Sequence, residues 1–266
     1  MRHLGLGVAI GLVSSAVLAV QPTHALTDTQ IIEKLQGIPV IALTDKSGAP
    51  LVAQLNDKQK GLFTEVYLGQ KEVNATLQRL KTTNPTVAKQ LQVRVVTLGD
   101  VYKSQVANSG DKKLNILVVP SETQVKSAIS LLKKSDPTKA QQFNGVPLFV
   151  GIAGKPRGYV SINSAQDKKR IIPVFFDKEQ LQAVLDKFKK DQPNLAPTTE
   201  IQVISLDSLL TQMRAKNEPF YGQIVLARSR EMAEYVANPA GQAKPTSEAK
   251  PSAPTKPAVK PKDTKK

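Results

Sequence analysis

Three glycines with two cations between them, Gly151-x-x-Gly154-x-x-x-Gly158 with Lys155 and Arg157, form the most phosphate-like spacing in the chain. A phosphate cradle uses such glycines to bring backbone N–H groups to the anion, and a helix N-terminus follows directly. The spacing fits neither a Walker loop nor a dinucleotide fingerprint, and no helical pattern follows, so the segment reads as a turn. A serine beside a lysine could act as a nucleophile without histidine. Ser127 and Ser164 are formal candidates, yet no motif selects either. Glu231 and Glu234 share one helical face with Arg228 and Arg230 beside them, the pattern of a solvated ion-pair surface. The absence of cysteine excludes disulfides, thiolate nucleophiles and Cys-ligated zinc. The two histidines, His3 and His24, lie in a segment read below as removable, which leaves no imidazole for a triad, a general base or a metal. No catalytic residue, metal or cofactor is expected. The inventory points to a binding or handling protein rather than an enzyme.

The aromatic residues are the remaining candidates. Phe63, Tyr67, Phe149, Tyr159, Phe175, Phe176 and Phe188 fall on expected strands and on the inward stripe of an expected helix. Core packing accounts for such residues in the simplest reading. In the functional reading they line an apolar groove between sheet and helices, occurring once in each half. Neighbouring strand residues point to opposite faces, so of Phe175 and Phe176 one reaches the groove while the other packs inside.

The chain has 266 residues, with 37 basic and 22 acidic side chains, a formal charge of +15. Residues 1–25 read as a secretory signal: Arg2 supplies the positive start, the run 4–20 is uncharged and apolar, and Thr23-His24-Ala25 offers a small-residue cleavage site. That run is short for a membrane span of roughly 20 residues, and its glycines weaken it as a helix. From Pro239 onward the composition changes to proline, lysine, alanine, serine and threonine. Six prolines in those 28 residues, and no apolar side chain larger than Val259, give a disordered tail biased to polyproline II. Its seven lysines against Glu248 and Asp263 carry +5, and Arg2 carries +1, so +9 remains on residues 26–238. With no interleaved aromatics for base stacking, the tail is not a nucleic-acid binder.

An offset of 108 residues lays 37–128 on 145–236 without a gap. Gly37-Ile38-Pro39-Val40 falls on Gly145-Val146-Pro147-Leu148, and apolar positions, prolines and turns keep register throughout. The pattern predicts an internal duplication, repeat 1 over 37–136 and repeat 2 over 145–238, joined by a few residues near 136–144. Each half reads as βββαβαβα: a hairpin over 38–55 (148–162), a third strand at 63–68 (171–176), then an amphipathic helix. That helix carries Val73, Leu77 and Leu80, matched by Leu181, Leu185 and Phe188. Asp177 with Gln180 and Ser121 with Gln124 have capping-box spacing. The expected fold is a mixed α/β (α+β) domain over 26–238 whose halves pack about a pseudo-twofold axis, with a mixed sheet, one shared sheet in the simplest case, flanked by helices.

Ile38-Pro39-Val40 with Gly48-Ala49-Pro50-Leu51, Leu80-Lys81-Thr82-Thr83-Asn84-Pro85, Val146-Pro147-Leu148-Phe149 and Ile172-Pro173-Val174-Phe175-Phe176 form an ordered series. Lys178-Glu179-Gln180-Leu181-Gln182, Phe188-Lys189, Gln192-Pro193 and Leu195-Ala196 continue it. Over residues 27–237 the series resembles the 22-kilodalton component of the chloroplast inner-envelope translocon, the Tic family, in its cyanobacterial form. The resemblance implies a protein of the periplasm (or of the space between plastid envelopes; the thylakoid lumen is the other compartment open to it). It also implies a duplicated α/β fold with apolar pockets and a chaperone-like role in protein transport. Its clients would be unfolded precursors or outer-membrane β-barrel proteins, and its partner an Omp-type assembly or translocation pore. It implies no catalytic residues and says nothing of the tail. The alternative is a structural tether, in which the cationic tail holds the domain to an anionic membrane surface or the cell wall.

Overall fold

The computed structural model describes residues 25–56, 59–108, 114–164 and 168–238. The segment read as a signal, apart from Ala25, and the tail from Pro239 lie outside them. A short helix, α1 (Asp28–Leu35), comes first, closed at its N-terminus by a capping box between Thr27 and Gln30. The first half then runs β1 (Pro39–Thr44), β2 (Ala53–Asn56), β3 (Gln59–Tyr67), α2 (Gln70–Thr83), α3 (Pro85–Ala88), β4 (Gln92–Thr97), α4 (Leu98–Ala107), β5 (Leu114–Val119), α5 (Glu122–Ser135) and α6 (Pro137–Gln142). The second runs β6 (Pro147–Ala153), β7 (Gly158–Tyr159), β8 (Ile162–Asn163), β9 (Arg170–Phe175) and α7 (Lys178–Asp191). A 3-10 turn at Ala196–Thr198 leads to β10 (Glu200–Ser205), α8 (Leu206–Ala215), α9 (Phe220–Gln223), β11 (Ile224–Ala227) and α10 (Arg230–Ala237).

The strands form two mixed sheets, one per half, rather than a shared one. Sheet 1 is ordered β4-β1-β3-β5 and sheet 2 β10-β6-β9-β11, with β5 and β11 parallel to their neighbours and the other pairs antiparallel. Registers also recur at the 108-residue offset: Ile41 faces Tyr67 as Phe149 faces Phe175, and Ile116 faces Thr64 as Ile224 faces Ile172. The expected hairpins are only half formed. Leu51 N–H still donates to Leu43 O at 2.8 Å, but β2 then crosses to pair with β3, as β8 does with β9. The connection near 136–144 is not a bare linker, since α6 occupies most of it.

Both faces of each sheet are buried, by the alternation that strand geometry imposes. Val40 and Ala42 of β1, with Leu148 and Val150 of β6, enter one central core that also takes up α1, α4 and α8. On the outer faces the halves exchange helices. Ala128 of α5, a first-half helix, packs with Phe149, Phe175, Leu181 and Leu185 of the second half. Met232 of α10, a second-half helix, packs with Ile41, Leu43, Tyr67 and Val73 of the first.

The exchange brings four helix N-termini together, and each is capped by a side chain from another helix or its N-cap. The Gln70 N–H of α2 donates to Glu231 Oε1 at 2.6 Å, and the Glu122 N–H of α5 to Glu72 Oε1 at 2.9 Å. The Lys178 N–H of α7 donates to Gln124 Oε1 at 3.0 Å, and the Arg230 N–H of α10 to Asp177 Oδ2 at 2.8 Å. Following donor to acceptor closes a ring: α2, α10, the N-cap of α7, α5, and back to α2. Carboxylates at Glu72, Asp177 and Glu231 meet the positive ends of the helix dipoles. The local capping boxes expected at Ser121 and Asp177 do not form, because Gln124 and Asp177 are committed across the ring. Glu231, expected in a surface ion-pair cluster, is a cap as well.

Burial pushes the Asp177 carboxyl above its ordinary range, against the opposing pull of the Arg230 N–H. A carboxyl raised on folding is disfavoured in its charged form, so its stabilising contribution is fully present in acid and is lost as pH rises through the folded pKa. Asp177→Asn keeps an acceptor for Arg230 and removes the buried charge. It is expected to melt at or above the parent at pH 7, the gap closing in acid. Asp177→Ala removes the acceptor and should cost about 0.5–2 kcal/mol. Thermal melts of both across pH check this, and an Asn variant as unstable as the Ala one refutes it.

Candidate functional site

An open hollow lies beside β5, the outer strand of sheet 1. It encloses about 490 Å³ between β5, the faces of α4 and α8, and residues 143–146. Five consecutive residues, 116–120, line it. Alternating strand residues face opposite ways, so a consecutive run marks the strand's edge rather than one of its faces. Leu117 stands 44% exposed there. Val101 and Tyr102 of α4 and Leu210 of α8 make the apolar walls, and Asp207 and Gln105 sit at the rim. An open cleft of this size and composition has the character of a ligand or peptide site.

The equivalent edge of sheet 2 is partly covered: Val225, the counterpart of Leu117, is also 44% exposed, but a helix packs beside the strand. Beside β11, α1 packs against α4 and touches α8 and β11, burying Ile31 and Leu35 in the central core. The ammonium of Lys34 donates to the carbonyls of Gly222 and Ile224 at 2.9 Å each. Gly222 lies in α9 and Ile224 opens β11, so the ammonium bridges the end of that short helix and the start of the strand. Burial lowers the pKa of that ammonium. Asp28 adds an ion pair to Arg214 at 3.1 Å and accepts from the Tyr102 hydroxyl at 3.0 Å. Gly99 permits this approach: a methyl group there would lie 2.9 Å from the Ile32 carbonyl oxygen.

The seven aromatic candidates do not share one groove: Phe149, Phe175 and Phe188 pack in one core, and Phe63 and Tyr67 line a separate hollow. Phe149 is fully buried, Phe175 and Phe176 are 8% and 4% exposed, and the last two point to opposite faces of β9 into different cores. The expectation that one of this pair reaches a groove gives way, because sheet 2 is covered on both sides. Phe188 is half-buried against the same core as Phe175. Tyr67 is buried, and its hydroxyl donates to Glu65 Oε2. Burial and that carboxylate together raise its pKa. Phe63 lies with Tyr67 and Arg79 around a separate hollow of about 110 Å³. Tyr159 is 39% exposed and rests on Phe220, ring centres 5.4 Å apart, with Tyr221 behind at 4.2 Å from Phe220. The residues of the large groove, Val101, Tyr102, Leu117 and Leu210, escaped the sequence reading. Their one signal was a strand, 114–119, apolar at both parities, which a half-covered strand would not be.

The glycine segment is a turn: residues 154–157 connect β6 to β7, and Arg157 pairs with Glu200 at 3.1 Å. Among the described residues no group of three or more His, Cys, Asp or Glu side chains could hold a metal, and no helix is long and apolar enough to cross a membrane.

No curated protein matches the sequence. Solved structures that are similar include two Tic22 proteins. Tic22 from Anabaena, described as a protein-transport protein, aligns at 28% identity and a TM-score of 0.71, covering 83% of this chain and all of that one. Tic22 from Plasmodium falciparum aligns at 20% identity and a TM-score of 0.60, covering 77% of this chain and 95% of that one, and shares the fold. The model of the Tic22-like family matches residues 10–236, most of the sequence, and the chain belongs to that family.

Proposed function

We propose that this protein is a non-enzymatic, chaperone-like transport factor of the periplasm. It holds unfolded precursors or outer-membrane β-barrel proteins in the apolar groove beside β5 and delivers them to an Omp-type pore in the outer membrane. The open groove, with Leu117 exposed along a strand edge, carries the proposal. The description of the Anabaena relative as a transport protein supports it, and the signal-like composition of residues 1–25 supports the compartment. A holding factor needs apolar surface that tolerates many sequences, not convergent donors. A surface carrying net positive charge raises encounter rates with acidic clients at low salt.

The test is aggregation of an unfolded β-barrel protein diluted from urea. The parent chain should suppress light scattering at stoichiometric amounts, and Leu117→Asp, a change at an exposed edge position, should lose most of that effect with the melting curve little changed. Scattering unaffected by an excess of the parent chain would sink the proposal.

A further inference from the structure

The groove beside β5 is the vacant twin of an occupied seat. Exchanging the halves turns β11 into β5, α8 into α4 and α4 into α8, so the elements around α1 become those around the groove. The strand registers are the same on both sides. The positions that α1 grips through Lys34, Gly222 and Ile224, correspond to Leu114 and Ile116, which both lie in β5 whereas Gly222 lies in α9. The chain's own counterpart of α1 at the 108-residue offset is α6, and it does not fill the seat. Where α1 buries Ile31, α6 has Lys139, paired with Asp136 at 3.2 Å, and α6 packs on α5 instead.

We propose that the groove receives a short amphipathic helix ending on a cation, from a partner polypeptide, seated beside β5 as α1 is seated beside β11. The proposal rests on the reading of the groove as a holding site for other polypeptides, and it names the conformation and charge that are held. The apolar requirement is that of α1: two large side chains four residues apart, as Ile31 and Leu35, which fall on one helical face. The charge requirement comes from one of the positions at which the two seats differ. At the position of Gly99, which faces Gln36 and the Ile32 carbonyl, the vacant seat has Asp207. This carboxylate is exposed on the rim with no ion-pair partner among the described residues. It favours a helix that ends on a cation and disfavours one that ends on a carboxylate. A second copy of this chain would bring its own α1, which has neutral Gln36 at that place and is already seated.

The probe is a fluorescent peptide copying residues 26–37, made with Gln36→Lys or Gln36→Glu and titrated into the whole chain by anisotropy. The Lys form should bind about fivefold or more tighter than the Glu form at low salt, and salt should shrink the difference. Asp207→Asn in the protein should abolish the preference, and Leu117→Asp should weaken both peptides about tenfold or more. Isotope-labelled peptide should show helical chemical shifts when bound.

Several results overturn the proposal: no saturable binding, extended rather than helical bound peptide, a charge preference that survives Asp207→Asn, or indifference to Leu117→Asp. The last would place the peptide in the β11 seat. Sedimentation showing that the peptide acts only by dimerising the chain also overturns it. Suppressed β-barrel aggregation without helical peptide binding rejects this inference and leaves the holding function standing. Peptide binding without suppression rejects the holding function.

Discussion

Cut between Phe143 and Asn144, the chain should give two fragments that fail to fold alone and fold when mixed. Each fragment keeps its strands but loses the helix that covers them. The first lacks α10, so Ile41, Leu43, Tyr67 and Val73 lose Met232; the second lacks α5, so Phe149 and Phe175 lose Ala128. The central core divides as well, parting Val40 and Ala42 from Leu148 and Val150. Uncovering a large apolar side chain forfeits about 1.5–3 kcal/mol, while a whole domain is stable by only about 5–15 kcal/mol. A few such losses remove the margin. Circular dichroism and proton NMR of each fragment, then of the equimolar mixture, decide the matter. A cooperative melt from either fragment alone would refute the interlock as the source of stability.

Phe149→Ala should destabilise the chain by about 3–5 kcal/mol, the usual cost of emptying a fully buried aromatic site. Phe175→Asp should leave no folded protein, since it puts an unpaired charge between β9 and the exchanged helix α5. Leu117→Asp, on the exposed edge, should change stability by no more than about 0.5 kcal/mol. Urea titrations of the three variants, set beside their effect on aggregation, separate core from groove. If Phe149→Ala kept its midpoint yet lost holding activity, the buried aromatics would have to be reassigned to the site.

The ladder of elements was legible because its signals are local. Val73, Leu77 and Leu80, and 108 residues later Leu181, Leu185 and Phe188, mark helices by spacing alone, and Pro85 and Pro193 mark where they stop. Pairing between distant segments was not legible. Ser121 with Gln124 has the spacing of a local cap, yet Gln124 caps α7, because the helix exchange places that N–H closer than its own helix's. Phe175 and Phe176 alternate as a strand demands, but no spacing discloses that α5 crosses over to cover the outer face of sheet 2. The groove is harder still to read. It exists because Lys139 stands where Ile31 stands 108 residues earlier, a difference that acquires meaning only once the two seats are seen to be equivalent.

The seating of α1 also has a consequence in time. Its hydrogen bonds to Gly222 and Ile224 span 188 and 190 residues of chain. The grip lies where α9 meets the last strand of the second sheet, so these two bonds cannot form until residues 222–224 have joined the fold. Contacts of such separation pay their loop-closure entropy before any reward and slow folding accordingly. Until they close, α1 has its packing on α4, a helix of its own half, to hold it. Docking of α1 gives structural form to an inequality already present in the residues, where Gly99 of one half answers Asp207 of the other.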